Sequence, residues 1–238
     1  MVKAGDALEN PVSGQRLIFR KTAQDTGGES LEVESVYTKP TPSRPPTHYH
    51  PRQEERFEVL AGRLNVLVDG QERTLQESEV LIVPPGVPHE MWAAEAGTRV
   101  NWQTRPALNT EAFFETVWGL AKDGKVNDKG VPNLLRVALI AREYEDEFRL
   151  ASPPWAVQRA LFGLLAPVGR LLGYDARYPY PYSDSQTVPP GTSERRLSVG
   201  LRTKAGGLLA VAVLGLSALF LLRQRRRQSR KLFPCACG

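Results

Sequence analysis

Cysteine is almost missing from this chain of 238 residues: only Cys235 and Cys237 occur, both within the last four positions. No disulfide framework can therefore brace the body of the protein, which fits a reducing compartment. Acidic residues are missing from one end. From Arg195 onward there are ten Lys or Arg and no Asp or Glu. The formal charge of +5 thus belongs to the tail, because the first 194 residues carry 21 basic and 26 acidic side chains. That balance excludes a nucleic-acid patch on the folded part. The opening stretch, MVKAGDALENPVSGQ, lacks the apolar core of a secretory signal peptide.

Histidine is just as scarce, and its placement is informative. The three in the chain, His48, His50 and His89, fall in two short segments: Thr47–Gly62, THYHPRQEERFEVLAG, and Val83–His89, VPPGVPH. On an extended strand alternate side chains share a face, so His48 and His50 point the same way. In the strand that follows, Glu55 shares parity with Phe57 and Val59, while Glu54 shares it with Arg56 and Glu58. The apolar face turns to the core, so Glu55 goes in and Glu54 stays in water. Three imidazoles and one carboxylate suit a mid-row divalent metal and leave coordination positions open.

The spacing His48-x-His50, four residues, Glu55, six residues, Gly62 resembles the first cupin motif. Pro84-x-Gly86-x-x-His89 resembles the second. The resemblance covers roughly residues 13–105. It implies a small antiparallel jelly-roll barrel holding a divalent ion (Fe, Mn, Ni or Zn) on His48, His50, Glu55 and His89. Three support positions depart from the pattern: Ser78 and Pro42 stand where glycines are expected, and Ala93 where an asparagine is.

Taken in order, residues 1–14 read as a mobile lead-in, followed by strands over 16–20 and 31–37. Prolines 40, 42, 45 and 46 give a stiff, extended approach to the ligand strand. Strands follow over 63–68 and 72–75, joined by an Asp69-Gly70 hairpin turn, then over 79–83, from 89 and over 98–104. Phe57, Met91, Trp102 and Gln53 are the candidate substrate-pocket residues.

From Leu108 the apolar period becomes helical. One helix is capped by Asn109, a second runs from Pro132 into the charged 142–149 stretch, and a third runs from Pro154 to Gly173, interrupted at Pro167. These helices are expected to pack on the outside of the barrel or on a second subunit, the third having a membrane surface as its alternative. The domain reading is therefore a barrel over 13–106, a helical extension over 107–173, and a Tyr/Pro/Ser-rich linker over 174–204. An uncharged apolar segment, 205–222, then reads as a transmembrane helix, with a basic tail over 223–238. The fold class is mainly β with helices added.

Six Lys or Arg follow the apolar segment and four precede it, so the positive-inside rule favours a cytoplasmic C-terminus only mildly. A single-pass membrane protein with its barrel in the cytoplasm avoids moving about 200 residues across the bilayer, and is the expected layout. Cys235 and Cys237 suit a lipid, a metal or no role at all. By resemblance, the chemistry is metal-dependent oxygenation or isomerisation of a small organic substrate. The alternative is a non-catalytic cupin that holds or senses a small ligand, since this fold hosts both. A homodimer is the expected assembly, again by resemblance.

Overall fold

The computed structural model describes residues 2–182; the 205–222 segment, the basic tail and most of the expected linker lie outside the described residues. The strands are β1 (Ala7–Asn10), β2 (Gln15–Lys21), β3 (Leu31–Tyr37), β4 (His48–Tyr49), β5 (Glu54–Ala61), β6 (Leu64–Val68), β7 (Gln71–Leu75), β8 (Val80–Val83), β9 (His89–Ala93), β10 (Arg99–Arg105) and β11 (Arg149–Leu150). The helices are α1 (Thr110–Lys122), α2 (Leu134–Glu143) and α3 (Trp155–Leu171). Among the described residues no helix is long and apolar enough to cross a membrane.

The strands form two antiparallel sheets. One runs β1-β2-β3-β10-β5-β8 and the other β11-β4-β9-β6-β7. Period-two patterning builds the core between them. Leu17, Phe19, Val33, Phe57, Val59, Val100 and Trp102 come from the first sheet, and Leu64, Val66, Leu75 and Ala93 from the second. The parity of β5 is as the sequence requires: Glu55, Phe57 and Val59 are buried, and Glu54 is exposed. Leu81 and Val83 of β8 point inward, while Val80 and Ile82 face solvent because β8 is a sheet edge.

Turn chemistry sets the registers. Asp69 and Gly70 both adopt positive φ (47° and 79°), closing the β6–β7 hairpin at Val68↔Gln71. At Gly62 (φ 73°) a Cβ would lie 2.9 Å from Thr98 Oγ1 and 3.0 Å from Thr98 Cα, so only glycine fits there. Ser78, at a resemblance position that expects glycine, sits at φ 69°.

Several sequence expectations are corrected. The lead-in is not loose: Ala7–Asn10 is β1, paired with Gln15–Ile18 of β2. Asn109 stands at the N-cap of α1, its carbonyl accepting from Phe113 N at 3.0 Å, but its side chain makes no capping bond; its backbone and side-chain N–H groups donate instead to Glu147 Oε1 at 3.0 and 3.1 Å. The second helix starts at Leu134 under an Asn133 cap and stops at Glu143, so 144–149 is not helical. The third runs through Pro167 without a break. Residues 174–182, expected as linker, pack on the body: Tyr180 is buried and its hydroxyl accepts from Glu9 N (2.8 Å) and Lys122 Nζ (3.0 Å).

On the outer face of the larger sheet, buried Glu34 bridges Arg20 and Arg99, the latter at 2.6 Å. Burial works to raise the Glu34 pKa, but the two guanidiniums together outweigh it and hold the carboxyl below its ordinary range. A depressed carboxyl pKa stabilises the fold above the unfolded-state value and loses that contribution as pH falls through it. Glu34→Gln is therefore expected to cost about 1–2 kcal/mol at pH 7, with the gap to the parent closing below about pH 4. Urea unfolding of both proteins across pH 3–7 checks this. In the same assay Ser78→Gly should gain about 0.5–1 kcal/mol, the strain of a left-handed residue less the entropy cost of glycine.

Candidate metal centre and its cavity

Three strands and one turn bring the site together. His48 on β4 and His89 on β9 are direct cross-strand partners, with ring centroids 4.5 Å apart. His50 leaves β4 with its carbonyl accepting from Gly86 N at 2.8 Å, so the Pro84-Pro85-Gly86 turn is tied to the first histidine segment. One ring nitrogen from each of His48, His50 and His89 lies within 4.8 Å of the other two.

Each ring is locked by its other nitrogen. His48 Nδ1 is 2.9 Å from Pro46 O, His89 Nδ1 is 3.0 Å from Val87 O, and His50 Nδ1 bonds Glu147 O. A carbonyl only accepts, so all three Nδ1 atoms carry the proton and all three Nε2 atoms present a lone pair to the centre. This is the tautomer a metal requires, fixed by outer hydrogen bonds.

Glu55 reaches the same point from β5. Its Oε1 accepts from Trp102 Nε1 at 3.0 Å, and its Oε2 lies 2.9 Å from His89 Nε2 and 3.2 Å from His50 Nε2. Glu55 is 1% exposed, His89 2% and His50 8%. Despite that burial, neither His50 Nε2 nor Glu55 Oε2 has a hydrogen-bond partner. Lone pairs facing one another across about 3 Å repel unless a cation lies between them. Ligands about 2.1 Å from one ion and at right angles are separated by that same distance. The residues fit a divalent metal.

The electrostatics agree. Burial first, then the neighbouring His89 and His50, bring the His48 pKa down to about 3, so this ring is neutral at physiological pH. Burial would raise the Glu55 pKa, but His50 and His89 together hold the carboxyl well below its usual range. Burial would lower the His50 pKa, yet the adjoining Glu55 carboxylate lifts it above normal.

The centre opens onto a cavity of about 460 Å³, and the four expected pocket residues, Phe57, Met91, Trp102 and Gln53, line it. Two of them have further duties. Trp102 orients Glu55, and the Gln53 amide N–H donors are committed to Pro106 O (2.8 Å) and Thr110 Oγ1 (2.7 Å). The wall is aromatic. From His89 a chain of ring contacts runs through Phe57, Trp102, Phe114, Phe113 and Phe148 to His48, which meets His89 again. Phe148 stacks on His48 at 4.7 Å and 26°. Thus α1 and the turn after α2 do not lie outside the barrel; they close its mouth.

Phe148, the Glu147 carbonyl, and Phe113 and Phe114 of α1 are site groups missed in the sequence. Phe148 and Glu147 fall in a charged run read as helix, and the available signal was Phe148, one of two aromatics with Tyr144 among Glu, Asp and Arg residues.

Residues 36–102 match the family profile described as Cupin domain, and this stretch is a cupin domain. A protein named as an oxidoreductase from Arthrobotrys oligospora is 31% identical over 57% of this chain and 58% of its own length. Probable oxidoreductase yanE from Aspergillus niger is 32% identical over 60% of this chain and 62% of its own. The chain therefore spans about three fifths of the length of these curated relatives. Among solved structures, KdgF from Halomonas sp. covers 46% of this chain and 94% of its own, at 15% identity and a TM-score of 0.39.

Trp102→Phe keeps the ring contacts but takes the donor from Glu55 Oε1. It is expected to weaken retention of a divalent metal by about 10–100-fold in a folded protein. Chelator competition followed by elemental analysis measures this, and unchanged retention would show that the carboxylate is not held through Trp102.

Proposed function

We propose that this protein is a metal-dependent cupin oxidoreductase acting on a small, largely apolar, ring-containing organic substrate. One observation carries the reading: three imidazoles with their Nδ1 protons committed to carbonyls and an orphaned carboxylate oxygen converge at the end of an aromatic-walled cavity. A divalent ion of the Fe, Mn, Ni or Zn type, held by His48, His50 and His89 with Glu55 beside them, supplies Lewis-acid or redox chemistry there. The aromatic wall orients a planar substrate by stacking.

Oxidoreductase chemistry is preferred to isomerisation on the state of the wall carboxylates. Moving a proton within a substrate needs a free base within hydrogen-bond reach. Glu55 accepts from Trp102 through Oε1 and turns Oε2 to the metal position, and Glu147 accepts two bonds from Asn109. The Tyr37 hydroxyl, accepting from Gln15, is pushed by burial to a pKa of about 12. The names of the two curated relatives point the same way.

The reading also places the protein at a membrane through the 205–222 segment, with the cupin domain on the cytoplasmic side. It pairs two copies along the β8 edge, where Val80 and Ile82 face solvent.

Elemental analysis of the full chain, beside a His48→Ala/His50→Ala double variant, tests the centre. Near-stoichiometric metal in the parent and its loss in the variant is the expected result. A well-folded parent that takes up no divalent metal even on reconstitution would leave a non-catalytic ligand-binding cupin. Oxygen uptake by the loaded protein against a panel of phenols and quinones then separates oxidoreductase from binding module.

A further inference from the structure

Helix α3 carries two apolar faces. Phe162, Ala166 and Gly169 are buried, and the Gly169 backbone lies against Leu135 and Leu139 of α2. The opposite face is apolar as well, with Val157, Leu164, Val168 and Leu171 in solvent; Leu164 is 75% and Leu171 87% exposed. The spacing 157, 164, 168, 171 makes one continuous stripe along the helix. A stripe of this size does not stay in water without a purpose.

We infer that this outer face of α3 lies on a bilayer surface, docking the cupin domain against the membrane. Two features select lipid as the occupant. The helix contains no acidic residue, and its charges, Arg159 and Arg170, are both exposed, on a body whose first 194 residues are net negative. An exposed apolar face on a helix whose charged residues are all arginines suits an anionic interface. The chain then continues for more than fifty residues beyond Tyr182, and these include the uncharged 205–222 segment bordered by Lys and Arg on both sides. A segment of that composition suits a bilayer, and it follows α3 in the same chain. The docked helix also begins at Trp155, a residue of the cavity wall.

The occupant rests in part on the membrane reading of 205–222, and the experiment separates the two. The 238-residue chain with Cys235→Ser and Cys237→Ser receives one bimane-labelled cysteine at a time, Leu164→Cys, Leu214→Cys or Glu72→Cys, and is reconstituted into vesicles containing anionic and brominated lipids. Docking predicts that the label at 164 shifts to the blue and loses about half its fluorescence to the bromines, while the label at 72 on β7 does not respond. Quenching at 214 but not at 164 overturns the inference and leaves the anchor standing. Quenching at 164 but not at 214 supports docking and removes the span. A blue shift at 164 without lipid overturns docking: if it depends on protein concentration the occupant is a second copy, and if not, another segment of this chain.

Discussion

A buried imidazole needs a partner for each nitrogen, and the centre of this protein depends on how those partners are supplied. A ring left with an unpaired N–H in the interior costs roughly 1–3 kcal/mol, and a free ring can turn and lose the geometry altogether. His48 and His89 solve this locally. Each bonds the carbonyl two residues before itself, Pro46 O and Val87 O, within a proline-containing approach to its strand. His50 has no such neighbour, and its partner is Glu147 O, 97 positions away. The barrel therefore supplies two oriented rings by itself, and the third is oriented only when the chain after α2 folds back onto it.

That dependence explains the helical extension. The turn that delivers the Glu147 carbonyl also sets Phe148 on the face of His48, and β11 then pairs with β4 through Leu150↔His48. One segment locks a ring, covers another and extends the sheet that carries both. The Glu147 side chain is held in turn by Asn109 at the start of α1, so the two helices are positioned by the same residue that positions His50. The mouth of the barrel thereby gains an aromatic wall.

What the sequence made legible follows from the range of each interaction. Strand parity put Glu55, Phe57 and Val59 on one face, and that is where they are, because the period of two is a local property of the backbone. The Asp69-Gly70 turn and the three-histidine cluster were readable for the same reason. Their determinants lie within a few residues, or in spacings that two paired strands impose. The Glu54/Glu55 choice came out of parity alone. The misread parts share the opposite property. In 142–149 the charge pattern suited a helix, but tertiary contacts ended it at Glu143 so that Phe148 could enter the site. Asn109 has the side chain of a helix cap, and a carboxylate 38 positions away claims it instead. The opening residues and Tyr174–Tyr182 looked too polar or too proline-rich to be ordered; each is held by the other, through the Tyr180 hydroxyl on Glu9 N.

Burial of the centre bears on chemistry as well as stability. An ionised carboxylate buried at 1% exposure beside three imidazoles is unfavourable in an empty barrel, since its attraction to neutral rings does not repay the lost hydration. Protonating His50 relieves the problem at the cost of a ligand. Binding a divalent cation relieves it while keeping all three Nε2 lone pairs in use, and the Trp102 bond to Glu55 Oε1 leaves Oε2 as the oxygen facing the centre. The same low-dielectric surroundings that penalise the empty site strengthen every charge interaction within it once it is filled. With the wall carboxylates already bonded, what remains open to a substrate is the metal position and a belt of aromatic faces. A site so equipped selects by shape and stacking and leaves the electronic work to its ion.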